Sequence, residues 1–540
     1  MKQMSGSGQQ RREDAMARAA IDGRAAFAAG AFIASLAILA LLDRIGAPER
    51  LVATLGPGLA LAGLAIIGVM LRSMRIFGFH AASRATPAVY AGLAMTALGA
   101  GLAVPFTPPL PEGASLSSLL TGFGAGMALA GLVTGPLLRK SGAFSVADLI
   151  AMRFPSLTLS VGVTLAISAI GLCLGLAGLA MAQQALAPAL GPQASLILAA
   201  AIVGLIAIPG GMAGLIWASA GAAGLVIAAL AAPLALLTAS GAAMPLPLAA
   251  DAAFEQALAR IAQWSGGGSA PGSDGLFIGA LALGLGALPP LQAPLMTTRR
   301  SDEARGGGLA GLVWCALLAL MALVSIAAAA LVLRPGDAPP TGAFLLWSLP
   351  DLNGFGAAFS GLAAAGRMAV ALALSAAGFL TLGAAWGERS RYRLEKTQAL
   401  TSRRLALTRC ILLGAIAGAV WLQLNLKTDP HLLIGAAIGL SAVAVAPLLA
   451  LALWPRTDGG DAAVALVAGL AMAEAVVLLS DGAPTRALLA GAAVAGFLAA
   501  LGAGLAASLR HPAGPVSEGD AFLHGLLHGP GDVLRPDKDA

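Results

Sequence analysis

The stretch LRKSGAFSVADLIAMRFPS, residues 138–156, is a dense polar segment between two long apolar runs. Ser145 stands directly before Val146, where a hydroxyl can accept a hydrogen bond from the first turn of a helix. Asp148 falls in that first turn, near the positive end of the helix dipole, and Arg153 falls near the negative end. We therefore predict a cytoplasmic loop between two membrane helices, with a short helix lying along the membrane surface.

The composition around this loop is that of a polytopic membrane protein. Hydrophobic residues make up 58% of the chain and charged residues only 11%, whereas about a quarter of a soluble domain is charged. The 70 glycines favour membrane helices whose backbones approach closely. The Lys and Arg residues behind the net charge of +6 lie in short loops between apolar runs. We interpret them as topology signals, with the lipid bilayer as a partner and no nucleic-acid partner.

The apolar runs give the expected topology. About fourteen of them are long enough to cross a bilayer, which takes roughly 20 residues in a helix. The cations fall in alternate loops, and the positive-inside rule places those loops in the cytoplasm. We expect an inner-membrane protein with a cytoplasmic N-terminal segment at 1–24 and a cytoplasmic tail at 510–540. The runs are 25–42, 51–72, 88–106, 115–138, 157–182, 194–212, 213–238, 275–296, 307–333, 363–387, 404–422, 432–454, 463–480 and 485–509.

Two of these runs carry residues that can interrupt a helix. The run 88–106 contains Gly99 and Gly101, and the run 275–296 contains Leu288 followed by Pro289. Broken helices at membrane depth are tolerated where they line a cavity, and a pair of them indicates a transporter binding site. A glycine-rich packing seam and a simple proline kink are the alternatives. The sequence has no phosphate-binding glycine loop, nucleophile elbow or metal-ligand cluster, so we do not expect an enzyme.

The pattern Leu-Arg-x-x-Gly-x-Phe-Ser-x-x-Asp-x-x-x-x-Arg-Phe-x-Ser of residues 138–156 resembles the loop after the second core helix of the sodium:solute symporter family. Four further pieces resemble that family in the same order along the chain. They are Ala82-Ser83-Arg84 with Pro87, Gly210-Gly211-Met212 with Trp217, Leu288-Pro289 with the basic segment 297–305, and Pro447 with 454–457. The spacing of Ala377-Gly378, Thr381 and Tyr392 most resembles the cation/acetate symporter branch.

This resemblance implies an all-α polytopic membrane protein with the LeuT-type fold. Its two inverted five-helix repeats would occupy 88–238 and 275–454. Helices would be added at 25–87 and 455–509, and an external loop with an interfacial helix would occupy 239–274. The resemblance implies a sodium site at Ala97, Ala100, Ala371, Ser375 and Thr381, and substrate contacts at Leu98, Gly99, Gly101, Leu288 and Pro289. Hydroxyls that bond back to the preceding helical turn are the alternative for Ser375 and Thr381.

The implied function is secondary active symport driven by a sodium or proton gradient. The solute would be a small organic molecule, most simply a short monocarboxylate such as acetate, and no cofactor is expected beyond the transported ion. This sequence departs from the family pattern at Leu98, Gly99 and Gly101, where polar residues are common, and at Leu374, where a hydroxyl is expected. The alternative is therefore a degenerate member that acts as a sensor or accessory subunit. A small membrane subunit is a further candidate partner.

Two charged residues inside apolar runs have open roles. Glu474 lies within 463–480, outside the two repeats. It is a candidate for proton coupling, and the alternative is a hydrogen bond between helices. Arg367 lies near the external end of the eighth core helix, where it could attract an anion or extend to the membrane interface.

Overall fold

A computed structural model describes residues 23, 26, 30–107, 115–241, 244–247, 251–264, 273–333, 344–387, 401–426, 428–479, 486–510 and 523–526. Within these ranges the chain is almost entirely helical, and its one isolated β-bridge joins Thr86 and Thr298. Twelve helical spans among the described residues are long and apolar enough to cross a membrane, and some of these spans join two of the helices named below. The protein is a multi-pass membrane protein, as its composition predicts. Most of the first predicted run, 25–42, is described, whereas Tyr392 lies outside the described residues.

The helices of the N-terminal half are α1 (30–44), α2 (Glu49–Met70), α3 (Ile76–Ala81), α4 (Ala88–Ala103), α5 (Leu116–Ala128), α6 (Gly135–Ser141), α7 (Val146–Arg153), α8 (Leu157–Leu190), α9 (Pro192–Ala239) and α10 (Ala252–Trp264). Those of the C-terminal half are α11 (Ser273–Gly286), α12 (Pro289–Met296), α13 (Ser301–Val332), α14 (Phe344–Trp347), α15 (Leu349–Leu352), α16 (Ala357–Gly387), α17 (Thr401–Leu426), α18 (Pro430–Leu440), α19 (Ala446–Ala452), α20 (Gly459–Leu478) and α21 (Arg486–Ser508). Two π-helical segments, Leu129–Thr134 and Ser441–Val445, join α5 to α6 and α18 to α19.

Only one of the two expected interruptions is present. The run 275–296 is broken, because α11 ends at Gly286 and α12 begins at Pro289. The first core helix, α4, continues without a break from Ala88 to Ala103, so the expected interruption there was wrong. Proline removes a backbone donor and clashes with the preceding turn, whereas glycine only lowers helix propensity. Packing against neighbouring helices is enough to keep α4 helical.

The sixth and seventh predicted runs, 194–212 and 213–238, form one 48-residue helix, α9, with a kink at Gly211. Gly211 has φ of 56° and ψ of −139°, a conformation that side chains disfavour. A Cβ atom built there would lie 2.6 Å from both the ring and the carbonyl oxygen of Phe79. The kink therefore allows the segment that precedes α4 to pack closely against α9. The total of fourteen membrane helices and the repeat boundaries stay predictions.

Glycines allow the close helix packing that the composition predicts. A Cβ built at Gly308 of α13 would lie 2.0 Å from the carbonyl oxygen of Gly131. A Cβ at Gly92 of α4 would lie 2.7 Å from the carbonyl oxygen of Gly307. In a further helix contact, a Cβ at Gly171 of α8 would lie 2.6 Å from the carbonyl oxygen of Gly378 in α16. Two tightly packed groups result, one containing α4 and α13 and the other containing α8 and α16.

The loop at 138–156 has the predicted local structure. The Ser145 hydroxyl accepts a hydrogen bond from the Asp148 N–H at 3.1 Å, and the Asp148 carboxylate accepts one from the Phe144 N–H at 3.0 Å. The helix that follows, α7, is largely buried in the protein rather than lying free on a membrane surface. Its burial follows from the arginines around it, which bind distant parts of the chain.

Three arginines connect this loop to other segments through main-chain carbonyls. Arg84 donates to Gly142 O at 2.6 Å. The fully buried Arg139 donates to the carbonyls of Thr298 and Arg299, just after α12. Arg153 donates to Ala452 O at 3.2 Å and Trp454 O at 3.0 Å, at the end of α19. The loop therefore joins the segment before α4, the segment after α12 and the end of α19.

A helix is present where the interfacial helix is predicted, as α10, and its position at the membrane interface stays a prediction. Its Ala257 and Ile261 are buried, and Arg260 donates to Ala330 O at 2.9 Å and Leu333 O at 2.8 Å. These contacts fix α10 against the end of α13, which favours a packing role over that of a mobile lid.

Candidate functional site

The break between α11 and α12 is the local feature that most resembles a transporter binding site. Leu288 is the N-cap of α12 and has φ of −70° and ψ of 113°. Pro289 and Pro290 follow it, and neither has a backbone N–H. Prolines at the first turn of a helix suit its geometry, but they remove two of the donors that would otherwise face an anion. This helix start is therefore a poor site for a carboxylate bound through backbone N–H groups.

Two polar side chains stabilise the carbonyl at the end of α11. The oxygen of Gly286 accepts hydrogen bonds from the Thr134 hydroxyl at 2.8 Å and from Gln292 Nε2 at 2.9 Å. Gln292 Nε2 also donates to Thr134 Oγ1 at 2.9 Å. Thr134 is the last residue of the π segment Leu129–Thr134, and π segments are frequent at functional sites. We call Thr134, Gly286 and Gln292 the brace.

The brace presents an acceptor that has no hydrogen-bond partner among the described residues. Gln292 is fully buried, and its Oε1 atom makes no hydrogen bond there. A buried polar atom without a partner costs about 1–3 kcal/mol, so this oxygen is suited to accept from a water molecule or a ligand or to coordinate a cation. Sequence reasoning missed both Thr134 and Gln292. The signal for each was a polar residue within an apolar run.

The two helices that carry the predicted sodium ligands, α4 and α16, meet in an apolar contact at Gly101 and Leu374. A Cβ built at Gly101 would lie 3.0 Å from Val370 O and 3.2 Å from the Cβ of Leu374. The Leu374 side chain is fully buried there, at the position where the resemblance implies a hydroxyl. The carbonyl of Ala100 accepts the Val104 N–H within the helix. Ala97 lies in the same unbroken helix, so neither carbonyl is released by unwinding.

Two of the other predicted ligands lie in a different contact, between α16 and α8. Ser375 donates to Gly175 O at 2.8 Å. A Cβ built at Gly178 would lie 2.5 Å from Ala371 O and 2.7 Å from the Cβ of Ser375. Thr381 donates to Ala377 O at 2.8 Å, which is the bond back to its own helix. The described contacts of the five predicted ligands therefore lie in different helix–helix contacts. Sodium binding by these residues stays a prediction.

The predicted substrate residues are all buried but do not share one face. A Cβ built at Gly99 would lie 2.9 Å from Met127 and 3.4 Å from Cys315, toward α5 and α13. Gly101 faces α16 instead. Leu98, Leu288 and Pro289 are buried as well. Leu288 and Pro289 lie at the break itself, beside the brace.

Arg367 does not extend to an interface. Its side chain is 7% exposed, and its NH2 group donates to Gln184 Oε1 of α8 at 3.3 Å. Nearby, Gln423 of α17 donates to Gln183 Oε1 at 3.2 Å. These polar contacts connect α16 and α17 to α8. A role of Arg367 in attracting an anion stays a prediction.

Comparison with known proteins places the fold. No family model matches the chain. A stretch of 137 residues is 29% identical to a curated relative described as an uncharacterized symporter of Cupriavidus necator, and it covers 25% of this chain but only 20% of that relative. A solved Na+-coupled sialic acid symporter in a substrate-bound outward-open state has a TM-score of 0.68 and 15% identity, over 87% of this chain and 99% of that one.

The class defined by these findings is a polytopic membrane protein with the LeuT-type fold, as the resemblance implies. The proteins it is similar to are described as symporters and not as enzymes.

Proposed function

We propose that the protein is a secondary active symporter that couples an ion gradient to the uptake of a small organic solute. The observation that carries this proposal is the break between α11 and α12, braced by Thr134 and Gln292, within a fold like that of a sodium-coupled symporter. In such folds a helix group moves relative to a second group around a site at the broken helices. The group containing α4 and α13 and the group containing α8 and α16 are suited to these roles.

For the solute we propose a short monocarboxylate such as acetate, following the resemblance to the cation/acetate branch. The start of α12 offers few N–H donors to a carboxylate, because Pro289 and Pro290 occupy its first two positions. The open acceptor at Gln292 Oε1 instead suits a cation or a solute that donates a hydrogen bond. A carboxylic acid that enters with its proton meets that requirement. Proton coupling is therefore as well supported as sodium coupling.

The second candidate is a non-transporting sensor or accessory subunit that kept the scaffold. The continuous α4 and the packing of Leu374 against Gly101 favour it, since they close the place where the resemblance implies an ion. A small membrane subunit that co-purifies with the chain would support this candidate.

Uptake of radiolabelled acetate into proteoliposomes tests the proposal, with sodium and proton gradients imposed separately. We expect uptake that one gradient drives and that stops when this gradient collapses. Gln292→Leu should reduce this uptake severely, whereas Gln256→Leu on the exposed face of α10 should not. Ser375→Ala should lower sodium dependence if Ser375 binds the ion. Folded protein that takes up neither acetate nor any of a panel of small solutes would contradict symport and favour the second candidate.

A further inference from the structure

A separate cavity of about 550 Å³ lies between α11 and α18 on one side and α20 and α21 on the other. Phe106, just after α4, and His431, at the start of α18, contribute to its wall, and their rings pack edge to face with centroids 4.7 Å apart. The cavity has the volume of typical small-molecule sites. It is distinct from the break between α11 and α12, because neither Leu288 nor the brace lines it.

Small residues on two helices create this space. Gly435 and Gly439 of α18 line it, and a Cβ built at either glycine meets no atom within 4 Å. Ala490 and Ala493 of α21 line the opposite wall. Elsewhere in the protein glycines bring helices into contact, as at Gly308. Here they leave a volume that no described side chain fills.

A carboxylate lies in this apolar wall. Leu470, Glu474 and Leu478 of α20 line the cavity at intervals of four residues, so they share one face of the helix. A carboxylate within a membrane helix is costly unless it meets a partner. Among the described residues that line the cavity, none is Lys or Arg. His431 is the only described lining residue whose side chain can take up a positive charge, so any further positive charge next to Glu474 at this wall would come from an occupant.

We propose that this cavity binds an amphipathic molecule with an alkyl chain and a primary ammonium head. The chain would lie among the aliphatic side chains of α11, α18 and α21, and the ammonium would donate to the Glu474 carboxylate. Two sources can supply this chemistry: a soluble alkylamine and a lipid with an ethanolamine headgroup. The site does not depend on the proposed transport function. Its occupant would nevertheless contact Phe277 and Leu281 of α11, the first half of the broken helix.

Binding of tritiated decylamine to the purified full chain in phosphatidylcholine nanodiscs tests this proposal. We expect saturable binding, with decanoate competing at least tenfold less well because its charge repels Glu474. Repeating the measurement in nanodiscs that contain phosphatidylethanolamine distinguishes the two sources. A lower apparent affinity for decylamine there identifies the lipid as an occupant, and an unchanged affinity identifies the soluble amine.

Three variants complete the test. Glu474→Gln removes the charge while keeping the shape, and Gly435→Leu fills the cavity at a position where the backbone leaves room. We expect each to weaken decylamine binding by about tenfold or more, since a charge-assisted hydrogen bond or much of the apolar contact is lost. Glu255→Gln, on the exposed face of α10, is the matched control and should bind as the wild type does. Unchanged binding in both Glu474→Gln and Gly435→Leu, or equal competition by decanoate, would overturn the proposal.

Discussion

Replacing Thr134 with valine isolates the contribution of the brace to the broken helix. Valine keeps the shape of threonine but removes the hydroxyl, so its two short hydrogen bonds are lost: the donation to Gly286 O at 2.8 Å and the acceptance from Gln292 Nε2 at 2.9 Å. The longer contacts of the same hydroxyl to Leu129 O at 3.3 Å and Ala130 O at 3.5 Å share its one proton. Gly286 O and Gln292 Nε2 keep their direct bond at 2.9 Å. Each neutral hydrogen bond contributes about 1 kcal/mol, and neither partner is left unpaired. We therefore expect the free energy of unfolding to fall by about 1–2 kcal/mol.

The assay is equilibrium unfolding of the purified protein in mixed micelles, together with uptake kinetics in proteoliposomes. Thr164→Val is the matched control. Among the described residues, the Thr164 hydroxyl donates to Ser160 O at 2.7 Å and to no other atom, and this hydrogen bond lies within α8. Because the control loses one hydrogen bond where Thr134→Val loses two, we expect its loss of stability to be about half as large. We also expect a higher KM for the solute in Thr134→Val alone, since the brace fixes the backbone beside Leu288. Equal losses of stability in both variants, with unchanged KM, would refute this reasoning.

Three further predictions concern packing, pH and the loop at 138–156. Gly308→Val should abolish the yield of folded protein, because its Cβ would lie 2.0 Å from Gly131 O. The control Gly306→Val should fold, because its Cβ would meet its nearest atom at 4.0 Å. Equal yields of the two variants on size-exclusion chromatography would contradict this. Burial lowers the pKa of His80 from 6.5 to about 4, so folding disfavours its protonation. The free energy of unfolding should therefore fall by about 2 kcal/mol from pH 7.5 to pH 5. The variant His80→Gln should lose that part of the pH dependence. If the wild type and the variant have the same pH profile of stability, the assignment to His80 is wrong. Asp148→Asn should lower folded yield without changing solute affinity, and a selective loss of affinity would point to a direct role.

The features that the sequence predicted well depend on short-range chemistry. The Ser145 cap involves residues three apart, and the break before Pro289 follows from the missing N–H of proline. The multi-pass architecture followed from composition and from the length of the apolar runs. Each of these can be read without knowing which helices become neighbours.

The features that the sequence did not predict depend on those neighbours. Whether glycines interrupt α4 is decided by what packs against them, and Met127 and Val370 fill the space beside Gly99 and Gly101. The brace joins Thr134 to Gln292 across 158 positions of sequence, so periodicity alone could not pair them. The direction of the Ser375 hydroxyl, toward Gly175, likewise depends on the rotation of α16 against α8.

The three arginines at the loop 138–156 bear on how this scaffold can change over time. Arg84, Arg139 and Arg153 all bind main-chain oxygens, which every residue type provides. The segments that receive these bonds can therefore exchange their side chains freely, as long as the backbone keeps its course. With such anchors, side chains in the membrane interior can change without loss of the order of the helices. Selection for a new solute or a new role can then act on the interior alone.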